Sequence, residues 1–306
     1  MKGLRRLLAL LPVLLLPLFA SAQQSKPASP ATMRWLVQDM PPHFTYPNGR
    51  APQRVEDLGH GEVEGFMRLL ITRLPQYRHE FVEASLPRFE ALVRQGPALC
   101  SMLHLRTPER LGWLYFTHLY PPLVSRQIHV IVNRDQLGRF ESPGQSLQLS
   151  ELLQRTELVG LLPRDRSFGA RIDALLQAQG AQAPRTVVSG RSMHLLTMLK
   201  ARRMDYTLEY PSTVDEFLRQ GEGVADFVKL PIVEGRSTQL ATVGCSRNPE
   251  GRRLIEAIDQ ALRKLAQDPQ REAWLKAWRG DALDEQDRLR INRYMDERAR
   301  GGAQIE

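Results

Sequence analysis

The chain has 306 residues, with 42 Lys and Arg against 34 Asp and Glu, 42% hydrophobic side chains and two cysteines. These proportions exclude a collagen, a disulfide-stapled mini-protein and a wholly disordered chain, and the length allows one large domain or two medium ones, each with a sizeable core. The formal net charge of +8 points toward polyanionic partners only until the first residues are set aside.

Lys2, Arg5 and Arg6 precede an apolar stretch from Leu7 to Phe19, followed by the small residues Ala20-Ser21-Ala22. This is the three-part pattern of a secretory signal over residues 1–22, with cleavage expected before Gln23. The apolar stretch is shorter than the roughly 20 residues of a spanning helix, and Pro12 and Pro17 interrupt it. No cysteine follows the cleavage site, so no lipid anchor is expected. Without the leader, 39 basic side chains face 34 acidic ones, a formal excess of +5. Arg252-Arg253 before Glu256, and Arg288 and Arg290 after Asp284, Glu285 and Asp287, intersperse the two signs as solvated helix faces do. Nucleic acid is not an expected partner.

In chain order, Gln23 to Ala31 is rich in Gln, Ser, Pro and Ala, a flexible start, and the folded part begins at Met33. Strands are predicted over Arg34–Gln38, His79–Glu83, Ala98–Leu103, Arg126–Asn133 and Leu158–Leu162. Four more are predicted over Thr186–Ser189, Tyr206–Leu208, Phe227–Pro231 and Gln239–Cys245. Between them the spacing predicts helices over Glu64–Leu74 (Phe66, Leu69, Leu70 and Leu74 on one side), Leu86–Gln95, Phe168–Ala178 and Ser192–Ala201. A long amphipathic helix over Pro249–Gln267 has Leu254, Ile258, Ala261 and Leu265 in register. The alternation implies α/β layers on mainly parallel sheets. Asp281–Glu306 is highly charged and reads as a surface helix fraying into Gly301-Gly302.

Cys100 and Cys245 lie in two of the apolar strand-like runs. In an oxidising compartment they form either one disulfide or two buried thiols; spacing alone does not choose. The seven histidines, His43, His60, His79, His104, His118, His129 and His194, include no i, i+4 pair, so neither a zinc site nor any other metal or cofactor is expected. Gly59-His60-Gly61-Glu62-Val63-Glu64-Gly65 misses the dinucleotide and Walker spacings, and its two glutamates repel phosphate; it reads as a loop capping the following helix. No serine sits in a nucleophile elbow, and no catalytic constellation is visible.

Leu105-Arg106-Thr107-Pro108-Glu109-Arg110, followed by Phe116-Thr117-His118-Leu119-Tyr120-Pro121, lies between two predicted strands. Here the sequence resembles family three of the bacterial extracellular solute-binding proteins, receptors for polar amino acids and related solutes. That family carries Thr-x-x-Arg and then Phe-Ser/Thr-x-x-Tyr at this spacing. The likeness extends to Asp39-Met40-Pro41-Pro42-His43-Phe44 after the first strand, Arg166-Ser167-Phe168-Gly169 before a helix, and Met204-Asp205-Tyr206.

The resemblance implies a two-lobed periplasmic binding protein fold (type II) with two crossings between lobes. Lobe 1 would comprise residues 33–127 and 236–280, lobe 2 residues 128–235, with a flexible start at 23–32 and a charged tail at 281–306. It implies a non-enzymatic periplasmic monomer that holds a small solute in the cleft and delivers it to an ABC-type permease. By position Arg110, with Thr107, takes the ligand carboxylate; a guanidinium fork suits that group. Phe44 and Trp35 are candidate apolar walls, and Ser167 a hydroxyl at a helix N-terminus. Met102, Leu103 and Leu105 stand where the family has hydroxyl residues, and Tyr210 stands near the family's ammonium-binding aspartate, with Glu209 beside it. These departures shift the expected ligand from an ordinary α-amino acid to a small polar, carboxylate-bearing solute. A ligand sensor for a membrane receptor and a dehydratase on the same fold are the rival readings.

Overall fold

The computed structural model describes residues 30–102, 104–121, 127–140, 147–188, 193–221, 226–235, 240–279, 283 and 285–306. The proposed export signal at 1–22, together with Leu103, Arg126, Ser189, Ser192 and Gln239, lies outside the described residues.

Two β-sheets organise the chain. The first runs β2-β1-β3-β10-β4, built from β1 (Ala31–Val37), β2 (Tyr77–Glu83), β3 (Leu99–Met102), β4 (Leu114–Tyr120) and β10 (Ala241–Ser246). The second centres on β5 (His129–Asn133), flanked by β8 (Tyr206–Glu209) and β9 (Phe227–Pro231). A parallel pair, β6 (Leu161–Pro163) and β7 (Arg185–Val187), is joined to β8 by a bridge between Gly160 and Tyr206. That junction requires a glycine: a Cβ at residue 160 would sit 2.5 Å from the Tyr206 ring. The chain leaves the first sheet after Tyr120 and returns to it at Ala241.

The expectation of mainly parallel sheets needs correction. β1 runs parallel to β2 and β3, but β10 is antiparallel to β3 and β4, and β5 is antiparallel to β8 and β9. A parallel neighbour requires a crossover back to the same end of the sheet. β5 and β10 are instead entered directly from the other sheet.

Helices cover the sheets with the faces their spacing marks. α1 (Glu62–Ile71) buries Phe66, Met67 and Leu70, and α2 (Leu86–Gln95) buries Phe89 and Val93. The short α3 (Pro108–Leu111) and α4 (Leu149–Leu152) and the longer α5 (Ala170–Ala178), α6 (His194–Lys200) and α7 (Pro211–Gln220) follow. α8 (Pro249–Ala266) buries Leu254, Ile258, Ala261 and Leu265, and its N-cap Asn248 accepts the Gly251 N–H at 2.7 Å. Burying one such aliphatic side chain contributes about 1.5 to 3 kcal/mol.

The charged C-terminal segment is not a fraying surface element. After α9 (Arg271–Arg279), α10 (Glu285–Arg300) inserts Ile291 and Met295 into the first core, and Ile305 bridges to Thr117 at the edge of β4. Tyr294, Ala299 and Ile305 pack beside them, and a buried ion pair adds to these contacts: Arg298 reaches Asp259 of α8, and the Asp259 carboxylate also accepts from Thr117 Oγ1 at 2.7 Å and Gln304 N at 3.1 Å. The folded part also begins earlier than Met33, since β1 starts at Ala31. Cys100 and Cys245 are register partners across β3 and β10 and form a disulfide, with Cα atoms 4.0 Å apart. The alternative left open by the sequence is thereby resolved.

Candidate functional site

In open α/β sheets, ligands bind in the crevice beyond the carboxyl ends of the strands. Here those ends carry the loop after β1, the 104–110 segment after β3, the 164–169 loop after β6, and Glu209-Tyr210 at the end of β8.

The loop after β1 is held by one buried carboxylate. Glu64, fully buried on α1, accepts from Thr45 N at 2.9 Å, Thr45 Oγ1 at 3.0 Å, Gly61 N at 2.8 Å and Gly59 N. Arg68 donates to the carbonyls of Leu58 and Gly59. The glycine-rich segment therefore caps α1, with Gly61 as its N-cap. Glycine is needed here because a Cβ on Gly61 would lie 2.5 Å from the His43 carbonyl.

Arg110 is 8% exposed. Thr107 N-caps α3 and accepts the Arg110 N–H at 3.2 Å, which fixes the start of the side chain. The guanidinium donates to the Leu105 carbonyl at 3.0 Å and, from the opposite sheet's side, to the Asp165 carbonyl at 3.0 Å. Asp165 has φ +62, a left-handed conformation that Asp tolerates better than most residues. Burial lowers the Arg110 pKa from its ordinary value, and nearby carboxylates only partly offset this. His104, packed against Phe89 and Trp113 and hydrogen-bonded to Ser101 at 3.2 Å, is pushed well below the ordinary imidazole value by burial and then by the Arg110 charge.

Arg166 follows directly. Its guanidinium makes a two-point pair with Glu209, 2.7 Å on each arm, and lies over the rings of Phe168 and Tyr210, 5.3 and 5.4 Å from their centroids. Burial opposes the Arg166 charge, but the Glu209 carboxylate outweighs it and raises the pKa. Glu209, 3% exposed, also accepts the Tyr210 N–H at 2.8 Å. The Tyr210 ring meets His43 of the β1 loop edge-on, with centroids 6.1 Å apart.

One hollow borders Arg110 and another borders the β1 loop. A space of about 80 Å³ is lined by His104, Glu109, Arg110, Trp113 and Asp165, among others. A larger one of about 400 Å³ lies between the β1 loop (Asp39, Pro41, Thr45, Tyr46) and Met193, His194, Thr197 and Gln220.

Arg110, Thr107, Ser167, Glu209 and Tyr210 thus come from strand-end loops, and Arg110 meets the Asp165 carbonyl two residues before Ser167. Ser167 Oγ is engaged locally, donating to Asp173 and accepting the Gly169 N–H at 3.2 Å, and the N-cap of α5 is Gly169. Phe44 and Trp35 belong to the first core: Phe44 is 3% exposed and packs on Tyr46, and the fully buried Trp35 donates to His79 Nδ1 at 3.0 Å. Sequence reasoning missed Asp165 and Arg166 as site residues. Only a charged pair within a loop hints at them, since the Glu209 partner is 43 positions away.

No family model matches the chain, and no curated protein matches it. Its fold is shared with solved structures. A five-stranded sheet, a three-stranded sheet bridged to a two-stranded pair, a passage out and a return, and a seam of strand-end loops define the α/β two-lobed type II periplasmic binding protein fold, and the solved structures similar to this chain have it. They include a mutant of ArgBP from T. maritima (16% identity, 81% of this chain and 95% of that one, TM-score 0.57). An ABC uptake transporter substrate-binding protein from Streptococcus pneumoniae with bound histidine is 12% identical over 83% of this chain and 94% of that one, with TM-score 0.59. The BvgS VFT2 domain of Bordetella pertussis is 15% identical over 82% and 94%, with TM-score 0.53. Among the described residues no helix is long and apolar enough to cross a membrane.

Proposed function

We propose that this protein is a non-enzymatic solute receptor of the periplasm. In this reading the leader at 1–22 directs export, and lobes at 33–127 with 236–280 and at 128–235 close on a small polar, carboxylate-bearing solute. The closed form is then presented to an ABC-type permease. The observation that carries the reading is the buried Arg110 guanidinium, aimed between the sheets and touching the opposite side through Asp165 O. Thr107 sets its position, and a hollow of about 80 Å³ lined by Arg110 and Asp165 opens beside it. The substrate-binding proteins among the structural neighbours support capture over turnover.

A melting-temperature screen against organic acids, amino acids and short peptides tests this. A solute at 100 times its Kd stabilises by about 2.7 kcal/mol, readily seen as a shift. Arg110→Ala should abolish the response to carboxylates while the melt stays cooperative; undiminished affinity in that variant rejects the site. The BvgS neighbour favours one second reading, in which the same capture reports to a membrane receptor. Copurification with a permease separates the two.

A further inference from the structure

We infer that the consecutive residues Asp165 and Arg166 act as a built-in ligand, filling with the chain's own atoms the anion-accepting and cation-accepting positions of the seam. Arg166 is thereby the residue that decides ligand class: the solute this site takes has no ammonium group read by Glu209. As a statement about specificity, this rests on the solute-binding reading above.

A zwitterionic solute needs a donor fork for its carboxylate and a carboxylate for its ammonium. Two buried groups of those types, Arg110 and Glu209, 8% and 3% exposed, face the 165–166 segment. Each is already engaged by the same loop. The Asp165 carbonyl oxygen accepts from Arg110 Nη2 at 3.0 Å, as one oxygen of a bound carboxylate would. One residue on, the Arg166 guanidinium holds both Glu209 oxygens at 2.7 Å, as a bound cation would. The Arg166 head is sandwiched near Phe168 and Tyr210, an aromatic setting that suits a cation.

The two engagements differ in what they leave over. Arg110 spends one N–H on Leu105 O and one on Asp165 O, so the remaining N–H groups of its fork can still meet a solute carboxylate. Glu209 faces a fork that satisfies both of its oxygens, with Tyr210 N in addition. An arriving ammonium would have to break both Arg166 hydrogen bonds and strip a mostly buried guanidinium of its counter-charge, which is unfavourable. The site therefore stays open to anions and closed to cations at Glu209. The Arg110 to Asp165 contact also ties the loops of both sheets together.

The experiment has two arms. In the first, wild type is titrated with glutarate and with glutamate, which differ by the amino group, as are other such acid pairs. The amine should add no affinity; a gain of about tenfold or more from the amine, the size of one good charged contact, overturns the inference. In the second arm, Arg166→Ala is melted with and without millimolar ethylguanidinium chloride, in buffers matched for ionic strength. The salt should raise the melting temperature of Arg166→Ala saturably and leave wild type and Arg166→Ala/Glu209→Gln unchanged. A folded Arg166→Ala that shows no such response overturns the proposal. If Arg166→Ala does not fold, the wild-type arm still decides. If no acid of any kind binds while ethylguanidinium rescues, the solute reading fails and the built-in cation stands.

Discussion

Two buried ion pairs, similar in chemistry, hold different places in this molecule. Arg298 and Asp259 are each 1% exposed and sit where α8 and α10 meet β4, and the carboxylate also takes Thr117 and the Gln304 N–H and lies 3.3 Å from Arg263. Arg166 and Glu209 have side chains 18% and 4% exposed, and lie at the seam, one residue from a loop carbonyl that crosses to Arg110. The first pair ties α10 and the chain end to α8 and β4, so its loss is a loss of fold. The second is surrounded by loops and rings, so on the proposed solute-binding role its loss changes what the seam accepts. Ion pairing between buried groups does not reveal its role; the elements it joins do.

The largest expected effect breaks the first pair. Arg298→Met leaves Asp259 buried without its main partner and should cost about 3 to 5 kcal/mol in denaturant unfolding, with much of it recovered when Asp259→Asn is added. A cost no larger than that of an exposed pair would erase the distinction between the two regions. Next comes the disulfide, which adds a covalent tie between β3 and β10 of the first sheet. Cys100→Ala/Cys245→Ala should lower unfolding stability by about 2 to 5 kcal/mol. The effect should be confined to stability, and carboxylate affinity measured by calorimetry well below the melt should stay as in wild type.

Glu64→Gln should be felt at the seam through its loop. Losing charged hydrogen bonds worth about 1.5 to 3 kcal/mol each loosens Thr45 and His43 and weakens solute binding beyond the loss of stability, as a titration at low temperature would show. The smallest effect is in pH. His104 has a folded-state pKa well below 6.5, so the unfolded chain binds a proton that the native chain refuses. Stability is then full above the ordinary imidazole value and declines as pH falls through it toward the depressed folded value. His104→Phe should flatten the melting temperature between neutral and mildly acidic pH. Asp259 acts lower on the scale. Burial alone would raise its pKa, but Arg298, Thr117 and Gln304 together hold it below 3.8. Its contribution is intact at neutral pH and lost only as pH falls below that ordinary value toward the depressed one, so an acid melt of Asp259→Asn should lack that limb.

Much of the fold is legible because local periodicity reports burial. α8 shows its buried face in the spacing of Leu254, Ile258, Ala261 and Leu265, α2 falls on its predicted bounds, and β9 does so as well. β4 and α7 are less visible: Leu114–Tyr120 reads first as a motif, and α7 buries only Thr213 and Val214. α10 is misread for a related reason, since its composition is polar and its largest buried side chain is an arginine. At the site, Thr107 and Arg110 are close in sequence and their order carries the resemblance. Trp35 within β1 and Phe44 in the loop after it show that an aromatic near a strand end does not declare which way it points.

By itself the sequence determined the α/β alternation, the helix faces and the capping role of the glycine-rich loop. All of these depend on neighbours within a few positions. The tertiary structure decided the antiparallel entries of β5 and β10, the bridge from Cys100 to Cys245, the burial of Arg298 on Asp259 and the pairing of Arg166 with Glu209. Each joins residues brought together only when the chain passes between sheets and returns, and local propensity carries no record of which distant charge will neutralise which.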